Sequence, residues 1–126
     1  MINFDIAGST TSKTLLAPAA RTTTATGTGV NVSTYEGLAM VNLANGITSG
    51  TTPTLDVKIQ DSADDSSYAD VSGYTFTQVT AALTDPATLK IDLRNVRKFI
   101  RAIGTIAGTT PSFACSVTLI ASKKTT

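Results

Sequence analysis

Three stretches of this chain alternate apolar and polar residues with a period of two, and that period restricts the fold more than any other feature. In TPTLDVKIQDS, Leu55, Val57 and Ile59 alternate with Asp56, Lys58 and Gln60. TLKIDL repeats the triplet with Leu89, Ile91 and Leu93, and SFACSVTLIAS places Phe113, Cys115, Val117, Leu119 and Ala121 opposite Ala114, Ser116, Thr118 and Ile120. Successive side chains of a strand point to opposite faces, so each stretch makes a strand with one buried and one wet face; a helix would scatter the same residues around its axis. Threonine makes up about a fifth of the 126 residues, and β-branched side chains favour a pleated, half-buried surface.

The remaining segments fit the same pattern. STYEGLAMVNLANG sets Tyr35, Gly37, Ala39, Val41 and Leu43 against Glu36, Leu38, Met40 and Asn42, then stops at Asn45-Gly46, which reads as strand followed by turn. YADV, a tight turn at Ser72-Gly73 and YTFTQV read as a meander, and in KFIRAIGTI Phe99, Arg101 and Ile103 alternate with Ile100, Ala102 and Gly104. About eight short strands broken by Gly, Pro, Asn and Asp predict an all-β fold, a β-sandwich or small barrel, with no helix of ordinary length. Residues 1–28 are polar and Thr-rich, with Pro18 interrupting a short apolar piece; they read as an extended arm or edge strand ahead of a β-sandwich domain over 29–126. There is no internal repeat of fixed period.

Composition removes many chemistries. The chain has no His and one Cys, so a Ser/His/Asp triad, a Cys/His dyad and the usual zinc sites are out of reach. Cys115 has no partner for an intrachain disulfide and sits in an apolar alternation, as a buried small hydrophobe does. No enzyme signature and no cofactor are expected. Net charge is +1, so no global field draws the molecule to nucleic acid or to an anionic membrane. No apolar run approaches the roughly 18 residues that span a bilayer, and MINFDIAGSTTSK lacks a basic region followed by an apolar one, so a protein made in the cytoplasm without export is expected.

Three clusters remain. Asp61, Asp64 and Asp65 in DSADDSS have the carboxylate density of a calcium loop but not its spacing, and Asp and Ser also build ordinary turns; a plain turn is expected. Gly27 and Gly29 precede no helix, so they form no phosphate cradle. In RNVRKFIRA, Arg94, Arg97, Lys98 and Arg101 would form one basic stripe on a helix. A short turn feeding a strand from about Lys98 accounts better for the β-branched residues that follow. It splays the charges, which then become a solvated or salt-bridged surface, with Asp92 and Asp85 among the available partners.

The succession LDVKIQDSADDSSYADVSGYTFTQV and LKIDLRNVRKFIRAIGTIAGTTPSFACSVTLIASKK resembles the head decoration proteins of tailed bacteriophages, also called cement or auxiliary capsid proteins, over about residues 35–124. ADDSS departs from the Asp-Gly turn expected there. The resemblance implies a β-sandwich, with jelly-roll topology as one form of it, on the outer capsid surface of the virion. There it would stabilise contacts between subunits of the major capsid protein and associate with itself as a homodimer or homotrimer. Lys58, Gln60, Arg97, Lys98 and Arg101, on the KIQDS and RKFIRA edges, with the nearby Arg94, are the candidate interaction surface, because strand edges invite pairing. A phage tail or baseplate module is the next reading. A carbohydrate-binding β-sandwich is the third, weakened by the absence of Trp.

Overall fold

The structure, a computed structural model, describes residues 6–124. After one helical turn, Ile6–Ser9, the chain forms β1 (Thr10–Arg21), the short β2 (Ala25–Thr26) and β3 (Val30–Asn31), and β4 (Tyr35–Ser62). It continues through β5 (Ala69–Thr75), β6 (Ala87–Asp92) and a 3-10 turn at Leu93–Asn95 into β7 (Phe99–Lys123). All pairings are antiparallel. The frame is the pair β4 and β7, matched from Tyr35 opposite Lys123 to Ser62 opposite Phe99.

Both long strands fold over midway. Their register slips between Asn45 and Thr48, Ser49 and Thr51, and Thr51 and Thr54. At the slips stand two copies of one tetrapeptide, Gly50-Thr51-Thr52-Pro53 and Gly108-Thr109-Thr110-Pro111, with Thr51 opposite Thr109. Gly50 and Gly108 have φ of 112° and 118°, and Thr52 and Thr110 have φ of 45° and 46°. The two copies thus share one left-handed kink pattern. An extra residue in a strand bends it and raises its twist, and paired bulges bend the ribbon as a unit.

The bend makes two layers. On one side of it, β1, the second half of β7, the first half of β4 and β6 lie side by side; on the other, β2 and β3, the first half of β7, the second half of β4 and β5 do. Four strand segments per layer, with β4 and β7 each crossing between layers, is the jelly-roll arrangement of a β-sandwich. Between the layers lies one core that includes Val41, Leu43, Leu55, Ile59, Ile91, Ile100, Phe113, Val117 and Leu119. The inward residues of the three alternating stretches are buried, Leu89 being only partly so.

Two expected turns are absent. Asn45-Gly46 does not end a strand: Asn45 pairs with Cys115, and its buried side chain donates from Nδ2 to Thr48 Oγ1 at 2.8 Å and to the Ala81 carbonyl at 3.0 Å. Ser72-Gly73 lies within β5, where Gly73 adopts φ of 84° and the register against β4 shifts. At Ser72-Gly73 the left-handed glycine that would suit a hairpin serves a bulge instead, whereas at Asn45-Gly46 the chain continues into the register slip between Asn45 and Thr48.

β1 is an edge strand, bound only to β7, and it carries Leu15 and Leu16 into the shared core along with Ala25 and Val32. The space around Gly27 explains its lack of a side chain: a Cβ there would run into the Leu15 carbonyl, while its N–H donates to the Ala102 carbonyl at 2.8 Å.

Candidate interaction surface

The stretch Asp92–Lys98 reaches from β6 to β7 across one end of the sandwich. Asp92 caps the 3-10 turn: its Oδ1 accepts from the Arg94 N–H at 3.0 Å, and its own N–H donates to the Tyr74 hydroxyl at 2.8 Å. The Arg94 guanidinium returns to the same carboxylate, from Nε to Oδ1 at 3.0 Å and from Nη2 to Oδ2 at 2.8 Å. This fork lowers the Asp92 pKa and raises that of Arg94.

Arg97 takes a different carboxylate. Its backbone N–H donates to Asp61 Oδ2 at 3.0 Å, Nε and Nη2 donate to Oδ1 at 3.1 and 2.9 Å, and Nη2 also reaches the Asp61 carbonyl at 2.8 Å. The Asp61 side chain is 12% exposed and that of Arg97 46%. Removing the guanidinium leaves a mostly buried carboxylate with one backbone donor, whereas removing Arg94 strips a carboxylate that water reaches more freely. Arg97→Ala should therefore cost about 1–3 kcal/mol in urea denaturation, and Arg94→Ala should shift the urea midpoint clearly less. Equal effects would show that burial of Asp61 is immaterial.

The connection forms one wall of a cleft of about 770 Å³. Val32, Leu93 and Val96 supply apolar lining, Leu38 stands at its edge, and Arg94, Arg97, Lys98 and Lys124 supply cations with Glu36 among them. Lys98 Nζ lies 5.6 Å from the centre of the Phe99 ring.

Lys58, Gln60 and Arg101 lie elsewhere. They project from the outer face of the second layer, where Arg101 Nε donates to Gln60 Oε1 at 2.9 Å, Gln60 Nε2 donates to Asp70 Oδ1 at 2.8 Å and Lys58 Nζ to Asp70 Oδ2 at 3.0 Å. The Arg101 guanidinium also stacks 3.9 Å from the centre of the Tyr68 ring. The six residues singled out in the sequence thus occupy two surfaces: Arg94, Arg97 and Lys98 at the end cleft, and Lys58, Gln60 and Arg101 in a network on a sheet face. The basic residues do not form a single stripe.

The acidic turn is occupied by its own fold. Asp61 holds Arg97; Asp64 Oδ1 accepts from the Ser66 and Ser67 N–H groups at 3.0 and 2.9 Å and from the Ser62 hydroxyl at 2.9 Å; Asp65, at φ of 61°, accepts from the Tyr68 hydroxyl. Gly29 packs against this last pair so closely that a Cβ would strike both groups. Burial, followed by the hydrogen bond to Asp65, pushes the Tyr68 pKa up to about 12. Among the described residues, no group of three or more His, Cys, Asp or Glu is placed to hold a metal ion. The role of Asp61 was not legible in DSADDSS, because its partner lies far along the chain.

The Ser67 and Ser66 N–H groups and the Ser62 hydroxyl lower the Asp64 pKa to about 2. The folded state therefore favours the ionised form, a contribution present above the ordinary carboxylate value near 4 and lost as pH falls towards about 2. Asp70 and Asp92 are shifted in the same direction. The urea midpoint should fall between about pH 4 and 2, and Asp64→Ala should flatten that slope. A slope unchanged in the variant would remove Asp64 from the account.

No known family model and no curated protein sequence matches this chain. Solved structures do match in fold. The crystal structure of SPBc2 prophage-derived protein YomS aligns with a TM-score of 0.53 at 14% identity, covering 89% of this chain and 91% of that one. The structure of the infectious bursal disease virus Gx strain aligns with a TM-score of 0.59 at 14% identity, covering 90% of this chain but 32% of that one. The crystal structure of the infectious bursal disease virus VP2 subviral particle gives 0.50 at 16%, with 90% and 32% covered. At such identities the likeness is one of fold: this chain has the β-sandwich of a prophage-derived protein nearly end to end, and that of about a third of the viral chains.

Proposed function

We propose that this chain is a structural component of a virus particle and, more specifically, a decoration protein. In this reading it binds the outer surface of a phage capsid and stabilises contacts between major capsid protein subunits. The observation that carries the reading is the near end-to-end likeness of fold to a prophage-derived protein, 89% of one chain against 91% of the other, together with the resemblance of residues 35–124 to decoration proteins. The local chemistry agrees with a non-enzymatic role. Asp61, Asp64, Asp65, Asp70 and Asp92 each hold a neighbouring group of their own fold. No helix among the described residues is long and apolar enough to cross a membrane.

A body that binds only the assembled, expanded shell stabilises that shell by mass action, and repetition over a lattice multiplies modest contacts. The protein is made in the host cytoplasm and joins the particle as a dimer or trimer. The test mixes purified protein with expanded empty shells of the major capsid protein of the phage it comes from, sediments the particles and counts bound copies. Saturable binding at a fixed number of copies per shell is expected. Protein left in the supernatant at micromolar concentration would overturn the reading.

A further inference from the structure

The end cleft continues past its cationic rim. Leu38 and Ser122 line both the cleft and a shallower groove of about 370 Å³ on the outer face of the first layer, where Met40, Ile120 and Lys90 also stand. The register explains the continuity: Met40 lies between Ile120 on β7 and Lys90 on β6, and Leu38 pairs with Asp92 on β6 one step along the same face. Leu38 is 56% exposed and Met40 37%, so the first layer presents apolar side chains to solvent on the face that points away from the core.

The charges along this track are unequal in availability. Arg94 and Arg97 are engaged by Asp92 and Asp61. Lys98, Lys124 and Lys90 are exposed and make no ion pair among the described residues, and the two linings contain one carboxylate, Glu36. Three available ammonium groups therefore flank an apolar middle; Glu36 is the one carboxylate in the linings, and Asp92, beside Leu38, is already engaged by Arg94. A polynucleotide would set its charged backbone over Leu38 and Met40. A chain that carries carboxylates on either side of apolar side chains satisfies the whole track.

We propose that this track receives an extended segment of a partner protein in which carboxylates flank apolar residues. The apolar side chains cover Leu38 and Met40, while the carboxylates meet Lys98 and Lys124 at one end and Lys90 at the other. The identity of the partner as a capsid protein rests on the function proposed above; the chemistry of the segment does not.

The probe is a synthetic peptide of alternating Asp and Leu, titrated into isotope-labelled protein and followed by amide chemical shifts, with a Lys-Leu peptide as its counterpart. Shifts are expected at Leu38, Lys90, Lys98 and Lys124 with the acidic peptide only. The double variant Lys98→Glu/Lys124→Glu, at exposed positions, should weaken binding roughly tenfold or more, and Leu38→Ser should weaken it as well. The proposal is overturned by absence of binding at millimolar peptide, by equal binding of the two peptides, by shifts confined to other surfaces, or by full affinity in the double variant. Sedimentation separates this from the broader reading. If wild-type protein and the double variant load shells equally, the track is not the contact although capsid binding stands. If the acidic peptide maps to the track and no protein loads shells, the track stands and the capsid reading falls.

Discussion

Phe113→Ala is expected to destabilise the protein by about 3–5 kcal/mol, lowering the melting temperature by roughly 10–20 °C. Phe113 is fully buried and leaves the bend of β7 with Thr48 on one side and Arg21 on the other, so it fills the place where the layers diverge. Truncation removes the transfer energy of the ring and leaves a cavity that the surrounding strands, fixed by their ladders, cannot collapse into. Against a typical total of about 5–15 kcal/mol, such a loss is a large fraction of the whole. Ile47, 83% exposed in the same corner, is the control: Ile47→Ala should change stability by no more than about 0.5 kcal/mol. Comparable effects would mean that the corner encloses no core.

Gly108→Ala should cost about 2–4 kcal/mol, through backbone strain and a collision together. The position needs φ of 118°, and an added Cβ would lie 2.8 Å from the Thr52 carbonyl oxygen and 2.9 Å from Pro53 Cα. Both are main-chain atoms of the opposing tetrapeptide, which cannot move without opening the ladder. Gly50 meets Thr110 and Pro111 in the same way, so Gly50→Ala should behave alike. Gly37 separates strain from collision: its φ is 74° but nothing lies within 4 Å, and Gly37→Ala should cost only about 1–2 kcal/mol. Urea midpoints at unchanged slope measure all three. A Gly108→Ala variant as mild as Gly37→Ala would contradict the close approach of the two strands.

The layers were legible in the sequence because alternation is local: Leu55, Val57 and Ile59 declare their inward face without reference to anything else. The bend was not. A repeated Gly-Thr-Thr-Pro means little in a Thr-rich chain until Thr51 is known to pair with Thr109, and that pairing spans about half the chain. For the same reason the sequence suggested two strands, in STYEGLAMVNLANG and in TPTLDVKIQDS, where β4 runs from Tyr35 to Ser62 without a break. At the candidate surface, the turn after Asp92 and the strand near Lys98 followed from local pattern. The division of the basic residues between an end cleft and a sheet face depends on Asp61, at the end of β4, and Tyr68, in the connection to β5, both distant in sequence.

In the proposed function, this two-layer body acts only through the virus particle it fastens. The most direct measurement heats DNA-filled heads lacking the protein, with and without saturating amounts of it, and records the temperature at which DNA escapes. The account predicts a rise that tracks occupancy of the shell. An escape temperature that stays the same on fully loaded heads would contradict it.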